Sequence, residues 1–253
     1  MPEPEVLPGA EPFSSSGGPQ GALVVHGFTG CPQSMRGLAE AFAAAGFTVE
    51  LPRLPGHGTS VEDMTRYSWA DWSAAAEAAY RDLAARCERV VVAGLSMGGT
   101  LTLWLAGNHP EIAGIVVING AAEPPAEPFR DMLREMQAQG HTVMPGVGND
   151  VADPSGKELA YEMMPIAGLL SLSEAADELA GRLGDIACPV LVANSPQDHV
   201  VPPSSSDLIA SSVSGPLERL TLARSYHVAT LDYDRHELEQ AAVDFARKVT
   251  SAA

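Results

Sequence analysis

Three side chains in this sequence have the types needed to attack a carbonyl group together: Ser96, Asp198 and His227. Ser96 stands in Gly94-Leu95-Ser96-Met97-Gly98-Gly99, a serine between two glycines. A serine hydroxyl is a poor nucleophile at neutral pH, so a base must take its proton as it attacks, and His227 in Arg224-Ser225-Tyr226-His227 is suited to that. Asp198, in Ser195-Pro196-Gln197-Asp198, would hold the imidazole in the right tautomer and stabilise the imidazolium that forms. Water would then cleave the acyl-enzyme, with His227 acting as base again. The oxyanion needs donors already in place, each worth ~3 kcal/mol where one has been removed. The backbone N–H of Met97 is one, and the N–H of Phe28, in the loop after Leu23-Val24-Val25, is the other.

The surrounding elements account for why these residues should meet. Val90-Val91-Val92-Ala93 reads as a strand running into the serine, and Thr100 to Leu105 reads as a helix leaving it. A side chain at Gly94 or Gly98 would collide with neighbouring backbone in so sharp a turn. The following helix would aim its positive N-terminal end at the hydroxyl. Asp198 follows the apolar run Val190 to Asn194, and His227 follows the run Glu218 to Leu222. The order Ser96, Asp198, His227 therefore places each residue at the carboxyl end of a different strand, where an open parallel sheet exposes its loops to ligand.

Taken in order, residues 1–20 are rich in Pro, Gly and Ser and read as an irregular lead-in with at most one short edge strand. Strands are expected at 21–25, 47–51, 90–93 and 112–118, with helices over 34–45 and 69–87, the latter capped by Ser68. Continuous apolar runs joined by short helical links imply a parallel sheet with right-handed crossovers. After Asn119-Gly120 the alternation breaks. Residues 121–185 show helical stretches (129–139, 159–170, 173–183) and no convincing strand, and they hold five of the nine methionines: Met132, Met136, Met144, Met163 and Met164. The expected organisation is a core of residues 1–120 and 186–253 with a helical cap inserted at 121–185. The last helix is expected at about 236–249.

Bulk properties exclude several classes of function. A length of 253 residues, 45% apolar and 19% charged, suits one α/β domain with an insertion. A net charge of −17 repels nucleic acid and anionic membrane surfaces. Three scattered cysteines form neither a disulfide framework nor a Cys-x-x-Cys metal motif, and nothing in them demands an oxidising compartment. The start Met1-Pro2-Glu3-Pro4-Glu5 lacks the basic and apolar regions of a secretory leader. No run approaches the ~18 apolar residues of a span, so a soluble cytoplasmic protein without stable membrane insertion is expected.

His26-Gly27-Phe28-Thr29-Gly30, Gly56-His57-Gly58, the Ser96 motif and Ser225-Tyr226-His227-Val228-Ala229-Thr230-Leu231-Asp232 together resemble the α/β-hydrolase superfamily. Within it they are most similar to small bacterial carboxylesterases and thermostable monoacylglycerol lipases, over about residues 12–249. The resemblance implies an α/β-hydrolase fold, a mostly parallel sheet flanked by helices with an inserted helical cap. It also implies Ser96, Asp198 and His227 as catalytic triad, Phe28 and Met97 as oxyanion donors, and hydrolysis of short- to medium-chain carboxylic esters without metal or cofactor. A small-molecule ester, with monoacylglycerols as one class, is the expected partner. Thioesterase, lactonase and peptidase chemistry can use the same triad, and a non-catalytic ligand-binding protein on this fold is the reading from another class. Dehalogenation needs a carboxylate where Ser96 stands.

Other residues near these motifs have structural readings. His26 and His57 are expected to brace loops, His199 to pack, Asp232 to cap or brace the final helix, and Cys31 to fill space. Glu127, Asp131 and Glu135 read as one solvated helix face. Flexible, polarizable methionine suits a pocket for acyl chains of several lengths, so Met132, Met136, Met163 and Met164 are the candidate substrate-binding residues of the cap.

Overall fold

The computed structural model describes residues 4–251, so Met1 to Glu3, part of the stretch read for a leader, lie outside it. The elements in chain order are β1 (Phe13–Ser15), β2 (Gln20–Val25), α1 (Arg36–Ala44), β3 (Thr48–Leu51), α2 (Val61–Met64), α3 (Trp69–Ala84), β4 (Arg89–Leu95), α4 (Met97–Asn108) and β5 (Gly114–Ile118). They continue with α5 (Glu127–Ala138), β6 (Val143–Pro145), β7 (Met163–Pro165), α6 (Ile166–Ala180), β8 (Val190–Asn194), α7 (Ser204–Ser212), β9 (Leu217–Thr221) and α8 (Arg235–Ser251). Among the described residues, seven strands form the main sheet in the order β1-β3-β2-β4-β5-β8-β9. Only β1, at the edge, runs antiparallel to its neighbour.

Strand residues alternate between two apolar layers, as a period of two requires. Ala22, Val24, Val91, Ala93 and Leu95 face one layer with Leu38 and Phe42 of α1 and Leu238, Phe245 and Val249 of α8. Leu23, Val25, Val90 and Val92 face the other, with Trp72 and Leu83 of α3, Leu101 and Leu105 of α4, and Ile209 of α7. Burial on both faces explains why β2, β4, β5 and β8 read as unbroken apolar runs. Each large buried side chain, Phe42 and Trp72 among them, contributes roughly 1.5–3 kcal/mol. Ser68 caps α3 through the backbone N–H that it donates to Asp71 Oδ2 at 2.9 Å, a capping-box bond.

The segment between β5 and β8 departs from its sequence reading. Where no strand was expected, β6 and β7 pair antiparallel, with Met144 opposite Met164. The helix expected over 159–170 does not form at its start, because Pro165 drives the preceding residue into extended backbone and itself sits at φ −66°, ψ 122°. Nothing in Leu169-Leu170-Ser171-Leu172-Ser173 breaks a helix, so the two expected helices merge into α6, which ends at Ala180. This segment packs on the sheet domain through α6, which touches α3 and α4. No helix among the described residues is long and apolar enough to cross a membrane.

The β4–α4 turn leaves no room for side chains at its glycines. A Cβ on Gly94 would lie 2.1 Å from the Gly98 carbonyl oxygen, and one on Gly98 would lie 2.2 Å from the Val25 carbonyl oxygen. Both obstacles are backbone and cannot rotate away. Gly98→Ala should therefore lower stability by about 3 kcal/mol, the upper end of overpacking costs. Urea titration measures this, and an unchanged midpoint would contradict the packing described.

Candidate active site

The carboxyl edge of the sheet gathers the residues singled out from the sequence. Ser96 joins β4 to α4 with φ 56° and ψ −120°. Left-handed backbone in a non-glycine residue stores strain and persists only where the surroundings enforce it. Here the Ser96 N–H donates to the Ile118 carbonyl at 3.0 Å and its carbonyl accepts from Thr100 N–H at 3.1 Å. Among the described residues only Thr29 (φ 63°) and Asn119 (φ 44°) share this conformation outside glycine. Thr29 follows β2 and Asn119 follows β5, so all three strained residues stand at one edge of the sheet.

Asp198 and His227 come together from the loops after β8 and β9. His227 Nδ1 lies 2.8 Å from Asp198 Oδ2. The other carboxylate oxygen accepts the N–H groups of Val200 and Val201, both at 2.8 Å. Both side chains are nearly buried, 8% exposed for His227 and 2% for Asp198. A carboxylate so fully engaged accepts from imidazole Nδ1–H, which leaves Nε2 unprotonated and free to take a proton.

Ser96 and His227 line one cavity of about 620 Å³, together with Phe28, Thr29 and Met97. Met97 is the first residue of α4, so its N–H has no acceptor within the helix. Among the described residues the Phe28 N–H also has no acceptor. Two residues with unspent N–H groups thus line the cavity that Ser96 lines. Much of the wall is apolar, from Phe129, Met164, Leu169, Leu172 and Ala176. Glu123, Asp150 and Glu158 add carboxylates. Burial pushes the Glu158 carboxyl up to about 6, against the opposing pull of His227 and of a hydrogen bond from Ser34. Among the described residues no cluster of three or more His, Cys, Asp or Glu is placed to hold a metal ion.

The four methionines assigned to the pocket separate. Met164 lines the cavity, whereas Met132, Met136 and Met163 do not. Adjacent strand residues point to opposite faces, so Met163 turns away where Met164 turns in. Met136 packs with Leu133, Ile166 and Leu170 between α5 and α6, and Met132 is 40% exposed. The other sequence-selected residues brace loops. His26 Nδ1 donates to the Gly27 carbonyl at 3.0 Å while Nε2 accepts from Leu54 N–H at 3.1 Å. His57 Nδ1 donates to the Pro55 carbonyl, and its ring packs edge-on against Trp72. Asp232, fully buried, accepts the N–H groups of Ala152, Asp153, Tyr226 and Tyr233 and makes no contact with His227 Nδ1. Cys31 is buried and donates to the Leu159 carbonyl at 3.4 Å. Glu127 and Asp131 pair with Arg134 on an exposed face of α5.

Sequence reasoning missed Asn119. Its Oδ1 accepts Ser195 N–H at 2.8 Å, and its Nδ2 donates to the His227 carbonyl at 2.7 Å. One side chain therefore ties the Asp198 loop to the His227 loop. The available signal was an Asn-Gly pair ending a buried strand, since asparagine tolerates left-handed backbone. Asp150 and Glu158, from the segment between β5 and β8, carried no signal in their neighbours.

Residues 22–241 match the model of the alpha/beta hydrolase family. The chain belongs to that family. It is 48% identical to the thermostable monoacylglycerol lipase of Bacillus sp. (strain H-257) over 246 residues, 96% of either chain. It is 27% identical to a carboxylesterase of Bacillus subtilis (strain 168), covering 94% of this chain and 97% of that one. Among solved structures, one described with the metagenome-derived lipolytic enzymes LipS and LipT superposes at a TM-score of 0.92 with 44% identity. That match covers 96% of this hydrolase and the whole of the other chain. The monoacylglycerol lipase of Paleococcus ferrophilus, at 19% identity and a TM-score of 0.76, shares the fold.

Buried neutral histidine makes stability depend on pH. Burial lowers the His26 pKa from 6.5 to about 4, opposed by its hydrogen bond to Gly27 and assisted by the charge of Arg53. The unfolded chain therefore takes up this proton first as pH falls. The contribution is constant above about 6.5, declines between about 6.5 and 4, and amounts to about 3 kcal/mol lost by pH 4. Urea midpoints should fall across that window, with the His26 ring resonances untitrated above pH 5. Titration of His26 near 6.5 would contradict the assignment.

Proposed function

We propose that this hydrolase cleaves carboxylic esters of short to medium acyl chains, monoacylglycerols among them, through an acyl-enzyme on Ser96. The observation that carries the proposal is the 2.8 Å bond between Asp198 and His227 Nδ1, with His227 lining the same cavity as strained Ser96. Asp198 fixes the Nδ1–H tautomer, so His227 Nε2 receives the serine proton as Ser96 Oγ adds to the ester carbonyl. The oxyanion is taken up by the Phe28 and Met97 N–H groups, both preorganised because neither is spent on a protein acceptor. His227 returns its proton to the leaving alkoxide. It then removes a proton from water as the water oxygen adds to the acyl carbonyl, and passes that proton to Ser96 Oγ as the acyl–oxygen bond breaks and the acid leaves.

Hydrolysis of esters is the activity of this chain's relatives by name: a monoacylglycerol lipase at 48% identity and a carboxylesterase at 27%. Residues 121–185 are proposed to serve as a cap, since Phe129, Met164, Leu169, Leu172 and Ala176 from this segment form the apolar wall beside Ser96. An acyl chain fits that wall. The alcohol of a monoacylglycerol carries free hydroxyls, and the Glu158 carboxyl in the same cavity is a partner for them. With a pKa of about 6, it donates as well as accepts below that pH and only accepts above it.

Two measurements test the reading. Ser96→Ala should lower kcat on p-nitrophenyl esters by ~10⁴-fold or more with the fold intact; retained turnover would remove the nucleophile assignment and leave a ligand-binding role. Met164→Ala should shift the preferred acyl length in a series of p-nitrophenyl esters, while Met132→Ala, at an exposed position, leaves the profile in place. Equal effects from both would show that Met164 contributes packing alone.

A further inference from the structure

Asp150 comes from the segment between β5 and β8, yet its bonds go to the two loops that carry the acid and the base. Its Oδ2 accepts the His227 backbone N–H at 3.0 Å and the His199 backbone N–H at 3.2 Å. Its Oδ1 accepts from His199 Nδ1 at 2.8 Å, and its own carbonyl accepts the Val228 N–H at 3.1 Å. One carboxylate thus spans the base itself and the residue that follows the acid. The carboxylate is 12% exposed and lies at the cavity wall.

His227 is consequently held at three atoms by three different parts of the chain. Asn119 at the end of β5 takes its carbonyl, Asp198 after β8 takes Nδ1, and Asp150 takes its backbone N–H. The neighbouring residues of the segment are fastened to the same loop, because Ala152 and Asp153 donate to Asp232 at 2.7 and 2.9 Å. Removing Asp150 would free the backbone of His227 on one side and the backbone beside Asp198 on the same side. The Nδ1–Oδ2 bond would then have two mobile ends.

We propose that Asp150 is a positioning residue, a carboxylate from the cap that sets the register of the Asp198 and His227 loops and so aligns His227 Nε2 on Ser96. The proposal rests on the triad reading above. It gives the inserted segment a second role besides walling the cavity, since a displacement of residues 147–150 would be felt at the base. Small misplacements of a catalytic group cost about 10- to 100-fold in rate, and that is the effect expected.

The test compares the parent with Asp150→Ala, Asp150→Asn and, as a control on the exposed face of α5, Asp131→Asn. Three quantities are read: the rate of Ser96 labelling by a fluorophosphonate, kcat and KM on p-nitrophenyl butyrate, and the downfield proton resonance of the His227–Asp198 bond. Asp150→Ala should slow labelling and lower kcat by about 10- to 100-fold at nearly constant KM, and broaden or shift the downfield proton. Asp150→Asn, which keeps one acceptor oxygen and the side-chain volume, should fall between it and the parent, and Asp131→Asn should match the parent. Should the alanine variant fail to fold, the asparagine variant decides by the same readings. Labelling and kcat within twofold of the parent, or a lowered Tm with the downfield proton unmoved, would overturn the proposal. A parent whose Ser96 is not labelled at all would instead overturn the triad reading on which it stands.

Discussion

Between the carbonyl of Val25 and the α-carbon of Gly98 there is space for a hydrogen atom and nothing larger, and the same holds between Gly94 and the Gly98 carbonyl. Because β2, β4 and the start of α4 meet backbone to backbone, the chain reverses within one residue, and that residue, Ser96, takes up left-handed backbone. The strain is local and its cause is global. β4 is paired on both sides by β2 and β5 in the middle of the sheet, and α4 is buried beneath the segment that follows β5. Neither element can shift to relax the turn. The hydroxyl and the free N–H of Met97 are consequently presented together, at the same edge where β2 delivers Phe28.

Around that fixed point the polar groups are held by bonds that leave little freedom. Asp198 spends one oxygen on two backbone N–H groups and the other on His227. Asn119 and Asp150 grip the His227 backbone at its carbonyl and at its N–H. His26, neutral at ordinary pH through burial, holds the loop of Leu54 next to Phe28. Each interaction is modest alone, about 1 kcal/mol for an ordinary hydrogen bond. Their effect is to convert three flexible loops into one rigid constellation, which is the condition for preorganised catalysis.

The sheet was legible in the sequence because strands buried on both faces leave unbroken apolar runs, and because glycines and prolines mark where they stop. Ser96 and Asp198 were placed for the same reason, as each follows such a run, whereas His227 follows the half-exposed edge strand β9, whose Glu218 and Arg219 interrupt the apolar pattern. Expectation and structure part where the physics is tertiary. β6 and β7 are three residues each and half-buried, too short for any period to register, and Pro165 acts on Met164 rather than on itself. Met132, Met136, Met163 and Met164 look alike in composition, but which of them reaches the cavity depends on the strand face and helix face that each occupies. Asp150 and Glu158 lie in a loop whose neighbours are Gly, Asn, Pro and Ser, so only the folded chain shows what they touch.

The claim on which the rest depends is that Ser96 carries the acyl group during turnover. The most direct measurement mixes the protein with a p-nitrophenyl ester, quenches in acid on the millisecond scale, and reads the intact and peptide masses alongside release of p-nitrophenol. The account predicts a burst of p-nitrophenol and a transient mass increase equal to the acyl group, mapped to the peptide holding Ser96. Turnover with an adduct on another residue, or turnover undiminished in Ser96→Ala, would contradict it.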